Sequence, residues 1–249
     1  KPDRRQRQMC IRDSNCSTTM TGIPFLEGKI MMVDKPLHWT SFDVVKKLRY
    51  VIKKHYGIKK IKVGHAGTLD PLATGLLVIC TGKKTKSIDQ FLKEDKTYTG
   101  RIKLGATTPS FDLETNVDKI YPVPSIDDKM ISDLEKSFQG SLMQVPPIFS
   151  AKKINGKRAY NLARENKKVE LEAKPISISK LNLTAKKNDE IHFECTCSKG
   201  TYIRSLARDI GYAVNSGAHL IDLRRTSSGD FHIKNAKTVD EWIDIIKTS

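Results

Sequence analysis

No hydrophobic run along the 249 residues approaches the ~18 consecutive apolar residues that a membrane-spanning helix requires. A disulfide or zinc framework is missing as well. The five cysteines are an odd number without a pair of C-x-x-C motifs, which removes the small disulfide-stapled and zinc-ribbon classes and fits a reducing cytoplasm. Nor is there a phosphate loop. In Thr81-Gly82-Lys83-Lys84-Thr85-Lys86, no glycine precedes at the spacing of G-x-x-x-x-G-K-[ST], and Lys84 stands where the hydroxyl residue belongs. Kinase and NTPase chemistry therefore have no support. The chain has no internal repeat and no long linker. Acidic residues are scarce, 28 against 44 Lys and Arg, so the formal net charge of +16 points to a polyanionic partner, nucleic acid ahead of an anionic membrane surface.

What is present is an ordinary globular composition, 38% hydrophobic and 29% charged, in a chain long enough to bury a sizeable core. Residues 1–22 are polar and Arg-rich, without a helical or strand period and without the apolar centre of a secretion signal. They are expected to be a disordered or non-native leader, followed by one folded domain over residues 23–249. The segment from Gly28 to Pro36 reads as a short strand. Thr40 and Asp43 form a capping-box pattern ahead of Val44, Val45, Leu48, Val51 and Ile52, an amphipathic helix that ends at Gly57. Its other face carries Lys46, Lys47, Arg49, Lys53 and Lys54 and continues into Lys59, Lys60 and Lys62. That pattern fits either a solvated helix face or a phosphate contact.

Further strands are expected at Leu76–Cys80, Lys96–Gly105, Val169–Leu171, Ile176–Leu183, Ile191–Cys197 and Ala218–Gly229. In Ile191–Cys197 the alternation places Ile191, Phe193, Cys195 and Cys197 on one face, so the two cysteines read as core residues and His192 as a surface residue. Between Thr107 and Thr115 the chain reads as a loop, with Asp112 and Glu114 as solvated or turn residues. Ser125 and Asp128 are expected to cap a helix carrying Met130, Ile131, Leu134 and Phe138. Gln144 to Tyr160 is a proline-stiffened loop leading through a basic turn to a short helix. After Ser198-Lys199-Gly200-Thr201 comes a helix that buries Ile203, Leu206, Ala207 and Ile210 and puts Arg204 and Arg208 on its flank. Arg204 sits in the first turn, where the helix dipole disfavours a cation and a local anion would offset it. Thr238–Ile246 is a terminal helix.

The densest stretch is Gly64-His65-Ala66-Gly67-Thr68-Leu69-Asp70-Pro71-Leu72-Ala73-Thr74-Gly75. Its glycines and proline allow a tight backbone path that can hold Asp70 rigidly at the mouth of the following strand. Taken alone, Asp70 reads first as a turn residue capping a backbone amide, and only second as a catalytic group.

Together with Lys96-Thr97-Tyr98, the Val145-Pro146-Pro147 loop with Asn155-Gly156-Lys157-Arg158-Ala159-Tyr160, Lys199-Gly200-Thr201-Tyr202-Ile203-Arg204 and Leu223-Arg224-Arg225-Thr226, this stretch resembles the bacterial TruB family of tRNA pseudouridine-55 synthases. The similarity runs from about Lys29 to Trp242 in the family's order. Two departures stand out: His38 occupies a position where many members have glycine, and the chain ends at Ser249 with little room for the C-terminal RNA-binding domain of longer members. The resemblance implies an α+β fold, a mixed and mainly antiparallel sheet flanked by helices and loops, with the catalytic cleft across the sheet. It implies Asp70 as the catalytic carboxylate, Tyr98 as the aromatic stacked on the target uracil, and Arg204 as the partner of the aspartate. His65 matches the histidine that fills the space left by the extruded nucleotide, and Tyr202 and Leu223 match further pocket residues. The implied substrate is the T arm of tRNA, handled by a monomer with no cofactor, metal or obligatory protein partner.

Elementary chemistry agrees with that assignment. Pseudouridine formation breaks the N1–C1′ bond, turns the uracil and joins C5 to C1′, so neither a redox cofactor nor added water enters the balance. One ionised carboxylate can act on the sugar, on the base or at C2′, and an adjacent guanidinium favours ionised carboxylates. Two alternatives remain at this level. One is a tRNA-binding folding helper relying on the basic helix face; the other is the catalytic subunit of a guide-RNA particle, as in dyskerin-like proteins.

Overall fold

The computed structural model describes residues 22–149, 153–154, 157–158, 171–187 and 189–249. The expected leader lies outside them except for Gly22, as do Val169 and the short helix expected near Tyr160. Leu171, the end of one expected strand, is irregular. Strands are numbered β1 (Ile30–Lys35), β2 (Val63–His65), β3 (Ala73–Thr81), β4 (Lys96–Leu104), β5 (Ala106–Thr107), β6 (Lys119–Ile120), β7 (Gly140–Gln144), β8 (Lys153–Ile154), β9 (Lys157–Arg158), β10 (Lys174–Lys187), β11 (Glu190–Cys197), β12 (Ala218–Ser228) and β13 (Phe231–His232). Nine of them form one sheet in the order β1-β3-β12-β4-β11-β10-β7, with β2 beside β3 and β13 beside β12. Its ladders are antiparallel with one exception. β12 runs parallel to β3, pairing Leu223 with Ala73, Arg224 with Thr74 and Arg225 with Gly75. The mixed, mainly antiparallel α+β architecture is the one expected.

Packing on both faces explains why Leu76–Cys80 of β3 is a continuous apolar run rather than an alternating one. Leu77 and Ile79 join Met31, Val33 and the stripe Val44, Val45, Leu48 and Ile52 of the helix Ser41–His55, together with Val239, Trp242, Ile243 and Ile246 of the terminal helix Val239–Thr248. On the opposite face Leu76 and Val78 pack around Ala66. A second core lies under β4, β10, β11 and β12 and is closed by Ile203, Leu206, Ala207 and Ile210 of the helix Ile203–Ala213. Cys195 and Cys197 are buried in it as free thiols, and His192 is on the outer face. No helix among the described residues is long and apolar enough to cross a membrane.

Side-chain caps set three of the helix starts among the described residues. The capping box at Thr40 and Asp43 forms in full, and a second one forms at Thr238 and Glu241. The helix Asp128–Phe138 differs from expectation: its cap is Asp127, whose carboxylate accepts from the Met130 N–H at 2.7 Å, and neither Ser125 nor Asp128 fills that role. Asp127 wins because it sits three residues before that N–H in extended backbone, where a short carboxylate reaches an orphan donor.

Gly75 shows how tightly the parallel pair is closed. Its φ is +101°, and a Cβ there would overlap the Arg225 carbonyl oxygen and lie 2.8 Å from the Arg225 nitrogen. Both the backbone angle and the contact exclude a side chain. Gly75→Ala is expected to lower stability by more than about 2 kcal/mol, read as a fall in the urea midpoint; an unchanged midpoint would show that the β3–β12 junction yields easily.

Candidate active site

The loop between β2 and β3 is fixed from several sides. Ser41, buried at the first turn of the helix Ser41–His55, accepts from the Leu69 N–H at 2.8 Å and donates to the Leu69 carbonyl at 3.1 Å. The Ala73 N–H reaches back to the Asp70 carbonyl at 3.0 Å, and the His38 N–H donates to the Pro71 carbonyl at 2.8 Å. On the inner side Arg225, 1% exposed, donates to the Leu76 carbonyl at 2.7 Å and to the Gly67 carbonyl at 3.0 Å. With its backbone held this way, Asp70 projects a partly exposed carboxylate into the cleft.

Arg204 meets that carboxylate. Its Nε lies 2.9 Å from Asp70 Oδ2, and the rest of the guanidinium is committed elsewhere: Nη1 to the Ser110 carbonyl at 3.1 Å and Nη2 to the Phe149 carbonyl at 2.9 Å. A second carboxylate, Asp112 Oδ2, is 3.7 Å from the same Nε. The expectation of a flank position is therefore corrected. Arg204 is 5% exposed, because the loops carrying Ser110 and Phe149 fold over a helix face that periodicity alone marks as peripheral. Of the two readings of Asp112, the turn holds and the solvated position does not. The residue does make a turn, accepting from the Glu114 N–H at 2.9 Å, yet it is buried rather than solvated. The unfavourable first-turn cation is thus offset by two acids, one facing open space and one enclosed. Sequence reading missed Asp112; its single signal was an acid in a polar loop, which most loops share.

Asp70, Tyr98, Tyr202, Arg204 and Leu223 all line one cleft of about 530 Å³, with Thr68, Pro71, Lys96 and Phe149 among its other walls. Tyr98 stands on β4 opposite Arg225 of β12. Burial pushes its hydroxyl above the ordinary phenol range, and the Arg225 charge acts against that. The Gln144 side chain bridges the backbone of Tyr202, accepting from its N–H at 2.9 Å and donating to its carbonyl at 3.1 Å, and so anchors the turn that leads into Arg204. Leu223 arrives through the parallel register with Ala73. His65 is placed differently. It sits at the end of β2 with its ring nitrogen Nδ1 buried, and it does not line the cleft. Burial, with the Arg225 charge adding to it, holds His65 below the ordinary imidazole value, so the ring is neutral near pH 7.

Two buried lysines brace the surroundings. Lys96 Nζ donates to the carbonyls of Phe91, Leu92 and Glu94. Lys35 Nζ donates to those of Pro36 at 3.0 Å, Trp39 at 2.6 Å and Pro71 at 3.5 Å, tying the β1 exit to the Asp70 loop. Burial lowers Lys35 to about 8, with the Asp70 charge opposing. The unfolded chain therefore binds more protons than the folded one between about pH 8 and the ordinary lysine value near 10.5. The Lys35 contribution to stability is lowest below pH 8 and rises with pH through that window. Expected in urea titrations is a stability difference between wild type and Lys35→Met that shifts in favour of wild type from pH 8 to pH 10; a flat difference would contradict the burial argument.

Two family models match the chain consecutively: "TruB family pseudouridylate synthase (N terminal domain)" over residues 53–203 and "tRNA pseudouridylate synthase B C-terminal domain" over residues 204–248. Their boundary falls at Arg204, and the second segment supplies β12, a central strand of the sheet. A tRNA pseudouridine synthase B of Phocaeicola vulgatus is 52% identical over 223 residues, covering 88% of this chain and 95% of its own. One from Flavobacterium johnsoniae is 51% identical over 218 residues, covering 87% and 95%. Among solved structures, a chain of a Cbf5-Nop10-Gar1 complex is 26% identical with a TM-score of 0.67. The match spans 89% of this chain and 54% of that one, so this protein covers about half the length of its structural neighbour.

Proposed function

We propose, on the premise that the chain belongs to the TruB family of pseudouridylate synthases, that it converts uridine 55 in the T arm of tRNA to pseudouridine with Asp70 as its catalytic carboxylate. That it is a tRNA pseudouridine synthase follows from relatives of that name about half identical along nearly its whole length. The observation that carries the finer reading is the Asp70–Arg204 ion pair, open on one side to a cleft whose wall includes Tyr98.

A target uridine must leave its stack before any carboxylate reaches C1′, which takes a few kcal/mol. Stacking on Tyr98, worth about 1–3 kcal/mol for a base on an aromatic ring, offsets much of that, and Lys and Arg around the mouth hold the flanking phosphates. Asp70 then acts as nucleophile on the sugar or base, or as base at C2′; each route needs its charged form and a fixed position. Arg204 supplies the countercharge, and its ties to the Ser110 and Phe149 carbonyls leave it no freedom to follow the carboxylate. The N1–C1′ bond breaks, the C5–C1′ bond forms, the C5 proton leaves to solvent and N1 takes one up. The supporting test incubates the purified chain alone with unmodified tRNA tritiated at uridine C5, followed by mapping of the product. Tritium release with pseudouridine at position 55 is expected. Modification at another position, or release only after a guide RNA or second protein is added, would overturn the reading.

A further inference from the structure

His38 lies in the left-handed region, with φ at +65°. A residue with a Cβ occupies that region at an energetic disadvantage, histidine less so than most, and glycine freely. Its side chain is exposed, so no core packing accounts for the choice. Its backbone N–H is bonded to the Pro71 carbonyl, next to Asp70, which sets the ring at the lip of the site. Two cavities meet there. On one side His38 shares a wall with Asp70, Asp112 and Arg204. On the other it borders a surface groove of about 460 Å³ formed with Trp39, Asp43, Lys46, Lys47 and Tyr50, a size within the roughly 300–1,000 Å³ that holds small ligands.

The chemistry of that groove is selective. Lys46 and Lys47 are exposed, and Tyr50 is 61% exposed although large and aromatic. Asp43, the one acid in the wall, has its carboxylate turned to the Thr40 N–H at 2.9 Å and to the Thr40 hydroxyl at 2.6 Å. Exposed aromatic rings beside exposed cations suit an unstacked base and its phosphate. We infer that the groove of His38, Lys46, Lys47 and Tyr50 receives the nucleotide flanking the target in the substrate RNA, with the His38 ring as the positioning residue that turns the strand into the cleft. This rests on the proposed RNA-modifying reading and extends it to a second nucleotide.

The test measures binding of a fluorescent stem–loop RNA of the tRNA T-arm sequence to wild type, His38→Gly, His38→Asn and Tyr50→Ala, together with each protein's Tm. Glycine and asparagine both accept the left-handed backbone, so the two His38 variants are expected to keep the wild-type Tm or exceed it by a few degrees. Both, and Tyr50→Ala, are expected to bind the RNA about fivefold more weakly. On stem–loops made abasic at one or the other neighbour of the target, the difference from wild type is expected to vanish for one of the two. Equal affinity of His38→Gly and wild type for the intact RNA would overturn the inference. So would a Tm drop in both His38 variants, which would mark the ring as structural. Binding is read without turnover: a wild type that binds the stem–loop and leaves it unmodified removes the position-55 reading, while the affinities still decide the groove.

Discussion

Asp70→Asn is expected to abolish tritium release, by roughly a thousandfold or more, which corresponds to over about 4 kcal/mol in the barrier, while leaving tRNA affinity and the unfolding midpoint close to wild type. The isostere keeps the shape of the side chain but cannot act as a carboxylate nucleophile or base. Stability should survive because Asp70 is the exposed member of its pair. Arg204 loses one neighbour and retains the Ser110 and Phe149 carbonyls and the enclosed Asp112. The Asp70 backbone keeps its bond to the Ala73 N–H, and Ser41 still clamps Leu69. Retention of isomerase activity in the variant would remove Asp70 from the chemistry. Loss of RNA binding would instead mean that the carboxylate shapes the cleft.

Arg204→Met is expected to lose stability as well as activity. Removing the guanidinium strips the buried Asp112 of its countercharge and leaves two carbonyl acceptors without their donor. Breaking a buried pair from one side typically lowers stability by about 3–5 kcal/mol. Activity is expected to fall with it, since Asp70 loses its partner in the same step. The companion variant Arg204→Met with Asp112→Asn separates the causes: without the buried charge, part of the stability should return while the activity stays low. Urea unfolding and tritium release on the same preparations check both halves. An unfolding midpoint unchanged in the single variant would show that the guanidinium does not hold Asp112 and the two loops in place.

Residues that act through neighbours close in the chain could be read directly. The Thr40–Asp43 capping box, the stripe from Val44 to Ile52 and the alternation of Ile191 to Cys197 each depend on a local period and appear in the structure as read. Motif resemblance placed Asp70, Tyr98 and Arg204 in a common family pattern, and all three line one cleft. Where local competition was close, reading failed: Asp127 took the cap assigned to Ser125 and Asp128 because reach to one N–H decides between adjacent polar residues.

By itself, then, the sequence determined the class of partner through its charge, the segments that become strands and capped helices, and the carboxylate in a glycine-bounded loop. Only the tertiary structure decided which of these meet. β12 enters the sheet between β3 and β4, strands that come more than a hundred residues earlier in the chain, and its parallel register sets Leu223 beside Ala73 and brings Arg225 behind the loop. Arg204 looks peripheral by helical period and is buried because two distant loops close over it with Asp112 between them. Periodicity registers the face a residue turns toward its own element, whereas burial depends on what arrives from elsewhere in the chain, and that was settled when the sheet closed.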